Sequence, residues 1–343
     1  MVLNMKLKEQ LEMFGVSEVL RLTEMGTAPL NEKKRAIRRI EATFDMMTEL
    51  PGSEDLSFLH SGLCQTFLPH SRPADDRHVW KRTAGRFSLI VTPGVISDEM
   101  GSGQFSAGDG VRYVGVPYGS RARLIMIHLQ TEGVKSPTVN LGRSLSAFLR
   151  SLGLPVTGGK RGSIGAIREQ SLRIARCGIT MQWSDNHADG SRRTVMADTR
   201  IVEGLDLWDS GTGDEWSSTV QLSQKFHEHL KEHAVPLDKR AIGYLSGNSL
   251  GLDLYSLFAY RLPRLDRDLH LRWLALQSQI GASETKGFSL AQRIREVLPD
   301  VLSVYPDANV DVTPHGLLLR PSAPAVPKTS VRGFRVLNGR SDG

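Results

Sequence analysis

Cysteine is nearly absent from this chain. Only Cys64 and Cys177 occur in 343 residues, which excludes a disulfide framework and any cysteine-rich zinc module. Long apolar runs are missing as well, and the N-terminus carries no cationic–apolar–small signal pattern. No membrane partner is therefore expected, and the expected compartment is the cytoplasm. Charge of one sign does not dominate. The 43 Lys and Arg stand against 37 Asp and Glu, a formal net of +6, which permits polyanion binding without demanding it. A phosphate-cradling glycine loop is also lacking. Gly159-Lys160 resembles the end of a P-loop, but Leu154 stands where its first glycine must be. No cofactor is expected.

What the sequence does have is one organised stretch, Leu141 to Gly178. Leu141, Leu145, Phe148 and Leu152 recur at helical spacing, so a helix over 141–152 is predicted. Gly153, Pro155, Gly158 and Gly159 stop it. Ser163 is placed to cap a second helix. There Ile164, Ile167, Ser171 and Ile174 share one side, with Arg173 and Arg176 opposite and Arg168 at the edge. Lys160 and Arg161 sit before its N-terminus, where the helix dipole disfavours cations unless an anion is expected. Residues 179–183 and 192–201 read as a returning hairpin with Arg192 and Arg193 near its tip. A helix–turn–helix followed by a basic hairpin describes a winged helix, a shape suited to a DNA groove. The competing reading is a helix pair with an ordinary solvated basic face.

The rest of the chain divides around this stretch. Residues 1–57 read as an N-terminal helical extension. Its second helix, opened by Asn31 and closed by Pro51, carries Ile37, Ile40, Phe44 and Met47 on one side. Lys33, Lys34, Arg35, Arg38 and Arg39 lie on the other and read as a solvated face. Residues 58–208 form a first α+β unit, 209–218 a linker rich in Asp, Gly and Ser, and 219–320 a second unit. In that second unit Ser223 and Asp238 open helices, 250–262 is a strongly apolar helix, and 288–301 a helix in which Pro299 is a defect. A hairpin follows around Pro314 and Gly316. Residues 321–343 are expected to be disordered. The fold class is thus α+β, two tandem winged-helix domains with a helical extension and a disordered C-terminal tail.

Two further motifs suggest other chemistry. His229-Leu230-Lys231-Glu232-His233 matches the H-x-x-E-H zinc pattern, with both histidines on one helix face, but no carboxylate ligand is evident nearby and a charged, wet helix face is the commoner explanation. His227-Glu228-His229 is similar to the paired histidines of metal-dependent nicking initiators, with Tyr244, Tyr255 or Tyr260 as the attacking hydroxyl. That motif needs a strand, and the apolar spacing here says helix. No metal site is therefore assigned.

Five segments carry a family resemblance: GVPYGSRARLIMIHLQTE (115–132), TVNLGRSLSAFLRSLGLPVTGGKRGSI (138–164), REQSLRIARC (168–177), PLDKRAIGYLSGNSLGLDLYSLFAYRLPRL (236–265) and VLSVYPDANVDVTPHGLLLRPSAP (301–324). Together they resemble the plasmid-encoded RepA-type replication initiators. The resemblance implies a non-enzymatic protein of tandem winged helices. It would bind double-stranded plasmid origin DNA, recruit host replication proteins (a helicase or its loader), and associate with plasmid or nucleoid. A dimer with a second copy of itself is compatible with the apolar stripes of the N-terminal helices.

On this reading Arg168, Gln170, Arg173 and Arg176 are the expected base-edge contacts. Arg143, Ser144, Lys160, Arg161 and Ser163 would hold phosphates, together with Arg192 and Arg193 on the wing. Lys286, Ser289, Gln292 and Arg293 are the equivalents in the second half. A metal-dependent nicking initiator and a plain winged-helix transcriptional repressor remain the alternatives.

Overall fold

The computed structural model describes residues 5–85, 87–97, 111–142, 144–158, 162–186, 192–199, 201–207, 218–280 and 290–331. The chain forms two compact units. Unit 1 collects Met1–Ser57, Pro236–Trp273 and Gly287–Gly343; unit 2 collects Phe58–Val235 and Leu274–Lys286.

Unit 1 begins with α1 (Leu7–Met25) and α2 (Leu30–Thr48). The first helix spans 19 residues. It does so through Gly15, whose φ of 74° interrupts the helix with a kink that a side chain would resist. Leu11, Val19 and Ile40 form the core of this hairpin, with Leu7, Val16, Leu20 and Met47 packed against it. Phe44, expected on the same stripe, is exposed. After β1 (Leu56–His60) the chain moves into unit 2, and it returns within β11 (Ala234–Asp238). Asp238 caps α7 (Lys239–Leu245) by accepting the Arg240 N–H, and Asn248 caps α8 (Ser249–Arg261) the same way at Gly251. The α8 helix is apolar all round, so it is buried on all sides; Leu250, Leu252, Leu254, Leu257 and Phe258 are almost wholly inaccessible.

Strand β12 (Leu269–Arg272), helix α10 (Leu290–Ser303) and the hairpin β13 (Val310–Thr313) and β14 (Gly316–Leu319) complete unit 1. The three strands pair antiparallel in the order β12-β14-β13. Pro299 does not end α10, which continues to Ser303; its side is exposed and the buried stripe is Ile294, Leu298 and Val301. The Tyr255 ring meets Tyr305 edge-on, and its hydroxyl accepts the Asp238 N–H at 3.0 Å. Tyr255→Phe leaves that buried N–H unpaired. It should cost about 1–3 kcal/mol, read as a lowered urea midpoint with an unchanged m-value.

The expected C-terminal disorder does not begin at Pro321. Residues 321–331 pack onto unit 1: Val326 is buried, the Ala323 carbonyl accepts the Tyr305 hydroxyl, and Ser322 accepts the Asn309 N–H. Apolar burial and backbone pairing thus hold a segment whose composition alone suggested none. Residues 332–343 lie outside the described part.

Among its described residues unit 2 contains a four-stranded sheet, a three-stranded sheet and a two-stranded hairpin, together with several helices. The hairpin β2 (Trp80–Ala84) and β3 (Phe87–Thr92) joins β7 (Gly178–Asn186) and β8 (Arg192–Thr199) in the order β2-β3-β7-β8. A small hairpin, β4 (Val95–Ser97) with β5 (Val111–Tyr113), precedes α3 (Gly119–Gly133). Then come β6 (Thr138–Asn140), α4 (Leu145–Ser151) and α5 (Ser163–Arg176). Strands β9 (Val202–Leu207) and β10 (Ser218–Leu222) close the second sheet, ordered β6-β10-β9. Ser223 caps α6 (Gln224–His233) at the Phe226 N–H, as its place in the sequence predicts. Residues 274–280 of α9 (Trp273–Ile280) group with this unit, where the Gln279 carbonyl accepts the Phe67 N–H.

Two expectations change here. The boundary drawn at 209–218 does not separate two units. Strands β9 and β10 flank it, pair with each other from Leu207↔Ser218 onward, and β10 also pairs with β6. The Asp/Gly/Ser-rich segment joins two paired strands of one sheet instead of two units; residues 208–217 lie outside the described part. Residues 219–235 therefore belong with the first half of the chain.

Candidate nucleic-acid interface

The α4–turn–α5 region is built as a helix pair with a long, braced turn. Ser144 caps α4 by accepting the Ala147 N–H at 3.0 Å. Gly153, with φ 69°, ends it, and the Leu154 N–H returns to the Leu149 carbonyl, the glycine-terminated stop that left-handed backbone permits. Ser163 then pins the turn. Its hydroxyl accepts the Thr157 N–H at 2.9 Å and donates to the Pro155 carbonyl at 2.6 Å, while its own N–H goes to Thr157 Oγ1.

This corrects two assignments. The N-cap of α5 is Gly162, not Ser163. Ser163 is buried and its hydroxyl is spent inside the protein, so it is not displayed to a phosphate. Ser144 likewise uses its oxygen as a cap, though it stays half-exposed.

Helix α5 displays Gly165, Arg168 and Arg176, with Leu172 partly covered between them. At 100° per residue these four fall within about 80° of arc. Ile167, Ser171 and Ile174 are buried as expected, and Ile164 is partly so.

Arg173 is where the sequence reading fails. It is 3% exposed. Its Nε donates to Glu169 Oε1 at 3.1 Å, both Nη atoms reach Asp76 Oδ1 at 3.3 Å, and Nη1 donates to the Val116 carbonyl at 3.2 Å. Gln170 is also buried, and its Oε1 accepts the Tyr118 N–H at 2.9 Å. Neither side chain is offered to DNA. The physical reason is that α5 is covered on two sides. One is the apolar face; the other is the flank against residues 114–118 and Asp76, which the amphipathic pattern did not reveal.

The other assigned positions scatter. Arg192 and Arg193 stand at the start of β8, in the β2-β3-β7-β8 sheet. Gln292 is exposed on α10 and donates to Glu296, and Arg293 is half-buried there. Arg143, Lys160, Arg161, Lys286 and Ser289 lie outside the described residues.

A second cluster in unit 2 was missed at one member. His229 and His233 do share a face of α6, and His60 completes a stack with them. His60 and His229 ring centroids are 4.9 Å apart, and His229 and His233 are 4.2 Å apart. The Gly62 N–H donates to His60 Nδ1, so the His60 proton is on Nε2, which faces His229 Nδ1 at 2.7 Å. Burial first, then the neighbouring imidazoles, holds His60 down to a pKa of about 3. His229 is lowered for the same reasons. The rings point at each other, and among the described residues no group of three such side chains is placed to hold a metal ion. His227 faces elsewhere, with Nδ1 2.6 Å from the Gly133 carbonyl, so the His227/His229 pair is splayed, as helix spacing requires.

Residues 116–274, from the segment before α3 to the start of α9, match the family model described as plasmid encoded RepA protein. The matched stretch contains α3, α4, α5 and the whole β6-β10-β9 sheet, and continues through α8 into unit 1. No curated protein matches the chain. Among solved structures, domains 2 and 3 of RctB (selenomethionine derivative) align at 11% identity over 73% of this chain and 88% of that one, with a TM-score of 0.43. A second structure of RctB domains 2–3 aligns at 11% identity over 72% and 83%, with a TM-score of 0.40. No helix among the described residues is long and apolar enough to cross a membrane.

Proposed function

We propose that this protein is a plasmid replication initiator that binds double-stranded origin DNA sequence-specifically and acts by recruiting host helicase or its loader rather than by breaking bonds. The observation that carries this reading is the match to the RepA family model over residues 116–274, a stretch that includes the helix presenting Arg168 and Arg176. The strand order supports a winged-helix reading of unit 2. Strand β6 follows α3, then come α4 and α5, and, after β7 and β8 have joined the other sheet, β9 and β10 close β6-β10-β9 with the last strand in the middle. In unit 1 strand β12 follows α8, and β13 and β14 follow α10, in the same order β12-β14-β13. In this arrangement the wing strands of unit 2 are β9 and β10, and Arg192 and Arg193 stand on β8.

Arg168 and Arg176 are the groove contacts. Arg143, Ser144, Lys160 and Arg161 remain proposed phosphate contacts, as do Arg192 and Arg193 on β8. Lys286, Ser289, Gln292 and Arg293 keep the equivalent role at α10. Two reading units on one duplex can hold a bend whose elastic cost is about 1–6 kcal/mol, offset by added contacts. No cofactor or metal enters this mechanism, and the site of action is the plasmid in the cytoplasm.

The test is a transplant of the gene with its flanking DNA onto a marker without a replicon. Colonies are the expected result. Repression of its own promoter without colonies would favour a plain repressor, and a covalent protein–DNA nick would favour a nicking enzyme. At the level of binding, Arg168→Ala and Arg176→Ala should each lower affinity for a preferred duplex by about 1–3 kcal/mol, measured by fluorescence anisotropy.

A further inference from the structure

We infer that Arg173 is a positioning residue: clamped by Asp76 and Glu169, it sets the roll of α5 about its axis and so fixes which base edges Arg168 and Arg176 reach. The inference rests on the DNA-binding reading above and deepens it.

The geometry is that of a flank brace. Arg173 lies about 60° round the helix from Arg176, between the displayed stripe and the buried face. Its guanidinium is held from three directions, by Glu169 one turn back, by Asp76 from a separate loop, and by the Val116 carbonyl. Asp76 is held in turn by Arg72. Burial pushes the Asp76 carboxyl up, but the hydrogen bond from Arg72 and the charge of Arg173 outweigh it and hold the carboxyl below its usual range. Tyr118 donates its hydroxyl to Glu169 at 3.3 Å, and the Arg173 guanidinium carbon lies 5.1 Å from the Tyr118 ring centre.

The backbone is shaped to admit this clamp. Gly115 has φ 75°, and a Cβ there would lie 2.1 Å from Arg173 Nη1 and 2.4 Å from Asp76 Oδ1. Only glycine lets the chain pass so close to the guanidinium. A fork held at fixed distances resists rotation in a way that apolar packing alone does not. The leverage is large: a 20° roll shifts a point about 6 Å from the axis by about 2 Å, beyond the narrow window of a base-edge hydrogen bond.

The experiment uses the full chain and a duplex that it selects from a randomised pool, compared with a shuffled duplex across a salt series. Wild type, Arg173→Lys and Asp76→Asn are measured after their folding is verified by near-UV circular dichroism. Asp76 is partly exposed, so its amide variant is the mild one. Positioning predicts that both variants lose about tenfold in the selected-to-shuffled affinity ratio, with the salt slope unchanged, because no phosphate contact is lost. Direct contact predicts the opposite sign for Asp76→Asn: freeing the guanidinium from a competing carboxylate would tighten binding. A tighter Asp76→Asn, or a ratio unchanged in both folded variants, would each overturn the inference. A wild type without preference for its selected duplex would instead bring down the DNA-binding reading itself, and the inference with it.

Discussion

Arg173→Ala is expected to cost unit 2 about 3 kcal/mol of stability. A solvated surface arginine would cost almost nothing. This one is nearly inaccessible, and its removal leaves a void, takes a donor from the Val116 carbonyl, and leaves Asp76 to Arg72 and Glu169 to the Tyr118 hydroxyl. Deleting one partner of a buried pair costs about 3–5 kcal/mol. The lower figure applies because Asp76 and Glu169 retain access to water, at 27% and 40% exposure. Urea unfolding of the full chain, followed by Trp80 and Trp183 fluorescence, reads the effect. A variant within about 1 kcal/mol of wild type, the range of a surface ion pair, would contradict the buried clamp.

Acid should destabilise the same unit by a comparable or larger amount through His60. Its folded pKa of about 3 lies below the unfolded value near 6.5. The unfolded chain therefore takes up a proton that the folded chain refuses. Stability from this group is complete above pH 6.5, and it is lost progressively as pH falls towards 3. A difference of that size corresponds to about 4–5 kcal/mol at the acid end. The cause is specific. His60 is buried, its Nδ1 already accepts the Gly62 N–H, and its Nε2–H already points at His229. His60→Asn keeps an acceptor for Gly62 and removes the titrating ring. Its urea midpoint should fall much less than that of wild type between pH 7 and pH 4. Equal pH dependence in the two proteins would refute the assignment.

Much of this was legible in the sequence where a local signal and a tertiary demand agree. Ser223 and Asp238 cap their helices because a short acceptor preceding an apolar run has one use there. The strongly apolar 250–262 segment is a buried helix of unit 1 for an equally simple reason. The buried stripe of α5 followed from its periodicity. What periodicity does not carry is a second covered flank. Arg173 falls off the apolar stripe, and a helical wheel therefore reads it as displayed. Its partners, Asp76 and the bend at Gly115, are dozens of residues away in sequence. His60 escaped notice for a related reason: it stands on a strand remote from the H-x-x-E-H pattern it completes. Composition misled twice, at the β9–β10 hairpin and at residues 321–331. Polar, glycine-rich and proline-rich segments say how a backbone can turn, and they do not say what it pairs with.

The account turns on the outer face of α5, so the decisive measurement is the affinity of the full chain for duplexes spanning its own gene's flanking DNA, with and without Arg168→Ala/Arg176→Ala. The wild type should prefer one flanking segment over its shuffled counterpart by at least about a thousandfold at physiological salt, and the double variant should lose most of that preference while remaining folded. Equal affinity of the wild type for flanking and shuffled DNA, or a double variant with its preference intact, would contradict it.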